Sequence, residues 1–522
     1  MITFRYGIDR MTPGLALDIC RGRIKGELSR DAANKVAQNR AAVEDIVSDG
    51  RTVYGINTGF GPLCTTVISE EDTRKLQMNL LLSHAVGVGD LIPEEISRLM
   101  LILKAHSLAL GFSGISLPTL QRILWHIDNN ITPCVPSQGS VGASGDLAPL
   151  AHLFLPLIGH GKVFYKGSVV DAAPLLTERN MKPLEMGPKE GLALINGTQF
   201  IAANAVQFTE RLQNCLDHAD IIAAINLEAM LGSIRAFDAA IHELRPYKGV
   251  VYVAERMRKL IGNSEIVESH KNCHRVQDPY SLRCIPQVHG ATRNAYIHLK
   301  QLLTIELNAV TDNHIVFNKD KSISGGNFHG QPLALPLDYA AFSAAELGNI
   351  ADRRIYLSLM DTIEGLPKLL MKETGLNSGF MIPQYTTAAL VSENKSLCFP
   401  ASADSIPTSL GQEDHVSMGS ISARKALQII DNLEKIQGIE LFCAAQGMDF
   451  RKPLKSGPLV DACHDHVRSK IPHIDRDVYL GDFINTAIQM IRGRDLTNLT
   501  TELALEMKID FKNNLHELFG IY

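Results

Sequence analysis

Residues 337 to 355 read Leu337-Asp338-Tyr339-Ala340-Ala341-Phe342-Ser343-Ala344-Ala345-Glu346-Leu347-Gly348-Asn349-Ile350-Ala351-Asp352-Arg353-Arg354-Ile355. Apolar side chains recur at Leu337, Ala340, Ala341, Ala344, Leu347 and Ala351, a spacing of three or four that lines them along one stripe of a helix. Ala423, Leu427, Ile430 and Leu433 repeat the pattern, and similar periodicity covers Ala203 to Leu231 and Thr292 to Leu307. Small residues on these stripes, Ala344 and Ala345 among them, let helices approach closely. Strand signals are short and local, at Val163-Phe164-Tyr165 and Val251-Tyr252-Val253. The expected fold is therefore mostly α. A central bundle of long helices spans residues 199–522, and a smaller α-rich domain of loops and short strands spans residues 1–198.

Bulk composition narrows the function classes. With 51 Lys and Arg against 56 Asp and Glu, the 522-residue chain carries a net charge of −5 and has no general pull toward nucleic acid or anionic membrane. No run approaches the roughly 18 apolar residues of a membrane span. Met1 to Tyr6 lacks the basic-then-apolar order of a secretion signal. Nine cysteines without paired spacing point to reduced thiols and a cytoplasmic protein. Cys463-His464-Asp465-His466 lacks a second ligand pair, so no metal site is expected. Gly159-His160-Gly161-Lys162 does not have the spacing of a phosphate-binding loop.

Unusual polar combinations fall between the helices, where a rigid scaffold presents chemistry. The most informative is Gly142-Ala143-Ser144-Gly145-Asp146. One reading is a turn entering a helix, with Asp146 as N-cap and Pro149 in the first turn. The other is backbone cyclisation. Attack of the Gly145 nitrogen on the Ala143 carbonyl closes a five-membered ring, and loss of water from the ring and from Ser144 leaves an alkene conjugated to an imidazolone. Gly145 permits the tight approach, Ala143 is small at the attacked carbonyl, the Ser144 hydroxyl is the group lost, and Asp146 can shuttle protons. A helix N-terminus beside the ring favours the negative charge that develops when a nucleophile adds.

Gly139 to Leu150 resembles the signature of the aromatic amino acid ammonia-lyase family. Tyr54 to Gly61, Asn196-Gly197-Thr198, Tyr280 to Cys284, Gly325 to His329 and Asn377 to Phe380 resemble further family segments in family order, over roughly residues 50 to 450. The resemblance implies a 4-methylideneimidazole-5-one (MIO) group formed from Ala143, Ser144 and Gly145. It also implies a homotetramer whose active sites combine residues from several subunits. It makes Tyr54 the base on a closing loop and Arg283 the clamp for the substrate carboxylate. Asn196, Tyr280 and Gln277 resemble the polar residues around the amine and the MIO carbonyl, and Phe328 and Asp146 line the cofactor. Taken alone, these are a turn, a surface arginine and loop packing.

Leu82-Ser83-His84 and Gln412-Glu413-Asp414-His415 resemble the histidine branch of the family, as do Ser269 to Cys273 and Val276 to Pro279. Glu413 offers a carboxylate to an imidazole N–H, whereas a benzene ring leaves that carboxylate unpaired. The implied reaction takes histidine to urocanate and ammonia, with His84 and Glu413 meeting the ring. The alternatives are a tyrosine or phenylalanine lyase, a 2,3-aminomutase, and an inactive helical scaffold. Two departures from the family pattern, His314 in place of Pro and Asp352 in place of Glu, touch loop and interface details.

Overall fold

The computed structural model describes residues 3–49, 70–272 and 275–511. Four long helices form its centre: Gln199–Ala229, Ile285–Glu306, Gln331–Ser358 and Gly419–Asp449. The last packs along both Gln199–Ala229 and Gln331–Ser358, and Ile285–Glu306 packs against the same two. The stripe from Leu337 to Ala351 is buried throughout. Burying its apolar area is what holds this helix in place. Among the described residues no helix is long and apolar enough to cross a membrane.

Short strands gather into small two- and three-stranded sheets, mainly in the first 171 residues. Val163-Phe164-Tyr165 lies in the strand Lys162–Tyr165, antiparallel to Ser168–Asp171, as expected. Val251-Tyr252-Val253 does not form a strand. It lies inside the helix Lys248–Leu260, where Val250, Val253, Ala254 and Met257 are buried at helical spacing. Three β-branched and aromatic residues favour a strand locally, but the helical face they complete extends over a longer window and prevails.

One hydrophobic cluster joins the N-terminal region to the first parts of the 199–229, 331–358 and 419–449 helices and to the later part of the 285–306 helix, and a second occupies their opposite ends. A layer of buried charge lies where the two clusters part. Arg293 Nη2 donates to Asp220 Oδ2 at 2.6 Å, Arg256 Nε to the same oxygen at 2.9 Å, and His289 Nδ1 sits 2.8 Å from Asp220 Oδ1. Arg354 Nε and Asn226 Nδ2 both donate to Glu440 Oε1, at 2.6 and 2.9 Å. Charges matched across five helices penalise a slipped register, because a shift of one turn leaves them unpaired. Arg354→Met strands Glu440 without its counter-charge and is expected to cost about 3–5 kcal/mol. The measurement is the denaturant midpoint at unchanged slope, and a loss below about 1 kcal/mol contradicts this role.

The Cys463 to His466 segment lies on the helix Pro458–Lys470. His464 Nε2 is 3.1 Å from Asp449, while His466 Nε2 is 3.2 Å from Asp495. The two imidazoles thus face different carboxylates. Asp352 accepts from Thr387 Oγ1 at 2.7 Å and from Gln384 Nε2 at 3.2 Å, which ties the 331–358 helix to Met381–Leu397.

Candidate active site

Ala143, Ser144 and Gly145 sit in a loop clamped from two sides. On one side Gly145 pairs with Gly197 in an isolated parallel bridge. Asp146 N donates to Gly197 O at 2.7 Å, and Gly197 N donates to Ser144 O at 3.4 Å. On the other side Met418 N donates to Val141 O at 2.9 Å, Ser420 Oγ to Ser140 O at 2.5 Å, and Ser417 Oγ to Gly142 O at 3.3 Å. The backbone approach requires glycine. A Cβ at Gly145, which has φ +76°, would stand 2.2 Å from Gly197 O. A Cβ at Gly142 would stand 2.2 Å from Ser417 Oγ.

Asp146 occupies the N-cap position of the helix Leu147–Phe154, as the turn-and-helix reading expects, but its side chain does not cap that helix. Oδ2 instead accepts from Ile201 N, in the first turn of the 199–229 helix, at 3.0 Å, and Oδ1 accepts from Ser140 Oγ at 3.1 Å. The carboxylate therefore ties together the starts of two helices. Complete burial pushes its pKa up to about 7 against the pull of these hydrogen bonds. A carboxyl titrating near neutrality can both take and return a proton.

Ser144 Oγ donates to Glu413 Oε1 at 2.8 Å. The other oxygen of Glu413 accepts from Ser409 Oγ at 2.8 Å and Thr408 Oγ1 at 3.1 Å, so two hydroxyls fix the carboxylate plane. Glu413, His84, Ala143 and Gly145 line one cavity of about 230 Å³. That is room for a small ligand. Burial lowers the pKa of His84, opposed by a hydrogen bond at Leu80 and by the Glu413 charge. The sequence reading missed Ser409, Thr408, Ser417 and Ser420. Each is an ordinary loop or helix-start hydroxyl, and nothing in its spacing marks it.

The other expected site residues lie elsewhere in the chain. Asn196 is buried and does not line the cavity; its Nδ2 donates to Leu192 O at 3.2 Å. Gln277 and Tyr280 are exposed, and the Arg283 guanidinium rests over the Tyr280 ring at 4.5 Å. Their neighbour Leu282 packs in the second hydrophobic cluster, and none of the three lines the cavity beside Ser144. Arg283 Nε is buried with no hydrogen-bond partner among the described residues. Phe328 is half-buried next to His329, whose ring stacks on His415 at 5.8 Å. Tyr54 lies outside the described residues.

The fold and this clamped tripeptide define a mostly helical protein built around a tightly held Ala-Ser-Gly loop. The family model for aromatic amino acid lyases matches residues 11–469, and the chain belongs to that family. A Natranaerobius thermophilus protein named histidine ammonia-lyase is 47% identical over 476 residues, covering 91% of this chain and 94% of that one. The crystal structure of histidine ammonia-lyase from Trypanosoma cruzi superposes with a TM-score of 0.90 at 38% identity, covering 100% of this chain and 98% of that one. The tyrosine aminomutase of Streptomyces globisporus superposes with a TM-score of 0.92 at 32% identity, covering 98% and 100%.

Proposed function

We propose that this chain eliminates ammonia from L-histidine to give trans-urocanate, as a cytoplasmic carbon–nitrogen lyase. The observation that carries the reading is the Glu413 carboxylate, which two hydroxyls hold and to which Ser144 Oγ donates, on the wall of the cavity that His84 also lines. Relatives named histidine ammonia-lyase support the same substrate.

The residues present fit an MIO group. Gly145 and Gly142 leave the backbone space that ring closure needs, and Ser144 offers a leaving hydroxyl beside a carboxylate. Ala143, Ser144 and Gly145 form the group, with Asp146, Asn196, Tyr280 and Phe328 holding it. Once formed, it supplies an electrophile that lets an unactivated β-proton be removed. Tyr54 is the base in this reading, and Arg283 clamps the substrate carboxylate through its planar fork. His84, Gln277 and Glu413 contact the rest of the substrate. Residues 1–198 present the loop chemistry and residues 199–522 the bundle.

The cavity beside Ser144 contains neither Arg283 nor Tyr280, so a second copy of the chain is the natural source of both. Leu335, Tyr339, Phe342 and Tyr356 leave an exposed apolar face on the 331–358 helix, opposite its buried stripe. Such a face favours burial against another subunit. A homotetramer satisfies both observations.

The test is incubation with histidine, tyrosine and phenylalanine in parallel. Histidine is expected to yield one ammonia per conjugated acrylate, at a kcat/KM at least about tenfold above either rival. A β-amino acid product identifies an aminomutase, and no product from any substrate supports an inactive scaffold.

A further inference from the structure

Lys104 lies within the helix Glu94–Ala109, where its chain neighbours Leu101, Ile102, Leu103 and Ala105 are buried too, and is 2% exposed. A buried ammonium is costly unless it is paired and hydrogen-bonded. Among the described residues its Nζ has one hydrogen-bond acceptor, the main-chain oxygen of Asn196. The nearby Asp312 carboxylate is engaged by Lys189 Nζ at 3.0 Å. Burial brings the Lys104 pKa down to about 8, so near neutrality the cation is largely retained.

The Asn196 carbonyl is one end of a peptide unit whose other end is the Gly197 N–H. That N–H donates to Ser144 O at 3.4 Å. In a trans peptide the C=O and N–H point in opposite directions, so a cation on the oxygen polarises the N–H on the far side. The line therefore runs from Lys104 Nζ through one peptide to the carbonyl oxygen of Ser144.

We infer that Lys104 is a positioning residue that makes the Gly197 N–H a stronger donor to Ser144 O, where negative charge gathers during dehydration of Ser144. The inference rests on the MIO reading. In that dehydration the Ser144 Cα–H bond breaks and its proton passes to water in the cavity. The electron pair, shared with the adjacent carbonyl as an enolate on Ser144 O, forms the Cα=Cβ bond. The Cβ–Oγ bond then breaks, and Oγ leaves as water with a proton returned through Glu413. One serine thus becomes one dehydroalanyl unit and one water. A preorganised donor at the oxygen that receives the charge lowers that barrier. The same oxygen remains on the finished ring, so turnover provides a second readout.

The experiment follows the intact mass of newly made full-length chain over time after cell-free synthesis. It compares wild type, Lys104→Met and Lys104→Gln. Methionine fills the space without charge, and glutamine keeps an N–H for the Asn196 carbonyl without charge. Both variants are expected to melt near or above wild type, because each removes a buried charge. They should nevertheless lose the two waters about tenfold more slowly, and the matured fraction should show kcat about tenfold lower at little-changed KM. A slowing of less than about threefold in either folded variant overturns the inference, as does failure of both to fold. If wild type itself never loses the waters, the MIO reading fails, and that outcome is distinct from a Lys104 variant that matures at the wild-type rate.

Discussion

Ser144→Ala is expected to leave a folded protein that keeps its full mass and turns over histidine at least about a thousandfold more slowly. In the proposed cyclisation the hydroxyl is the group whose departure creates the alkene. Without it the exocyclic carbon has no unsaturation and no electrophile is made. Wild type should weigh about 36 Da less than its sequence predicts, the mass of two waters, and the variant should not reach that loss. The cost to folding is small by comparison. Ser144 is half-buried, and its side-chain hydrogen bond goes to Glu413, whose other oxygen keeps two hydroxyl donors. Losing one such bond amounts to about 1–3 kcal/mol, well short of what unfolds a large domain. Intact mass, melting temperature and kcat on one preparation therefore separate chemistry from stability. Full unmodified mass in an active wild-type preparation, or substantial activity in the alanine variant, would sink the proposed cofactor.

Much of the fold was legible because helical periodicity is a local signal that survives over many residues. The Leu337 to Ala351 stripe is buried as its spacing predicts. Val251-Tyr252-Val253 failed because three residues cannot reveal their own period, and their preference gave way to a longer helical face. The Ala143-Ser144-Gly145 loop was legible for a different reason. The proposed cyclisation demands residue types that ordinary packing does not, above all a glycine whose Cβ would strike Gly197 O. The hydroxyls that hold Glu413 and the Gly142 carbonyl were illegible, because their role exists only through contacts made by distant segments. Lys104 is intermediate. A lone lysine in Leu101-Ile102-Leu103-Lys104-Ala105 is a visible anomaly in sequence, but its direction toward Asn196 appears only in three dimensions. Gln277, Tyr280 and Arg283 carry a further lesson. Their residue types are readable, yet within one chain they stand apart from the cavity beside Ser144, since sequence order does not fix which segments meet in space.

Glu413→Gln tests the choice of substrate most directly. Before maturation Glu413 Oε1 accepts from Ser144 Oγ at 2.8 Å, while Oε2 is held by Ser409 and Thr408. The proposed dehydration of Ser144 removes the donor on Oε1 and leaves an acceptor on the cavity wall. An imidazole N–H restores the lost hydrogen bond, and a benzene edge cannot. Glutamine keeps the size but removes the charge, and its carbonyl makes a weaker neutral bond. Exchanging a charge-assisted hydrogen bond for a neutral one in a desolvated site costs about 1.5–3 kcal/mol, so kcat/KM for histidine should fall about 10- to 150-fold. Binding of uncharged aromatic analogues should change by less than about threefold, because a ring without a donor gains nothing from the carboxylate and is spared its desolvation. The comparison uses matured protein, confirmed by the loss of two waters, since Glu413 also touches the Ser144 hydroxyl. Equal losses for histidine and for the uncharged analogues would show that the carboxylate serves the common chemistry of the family and does not read the imidazole.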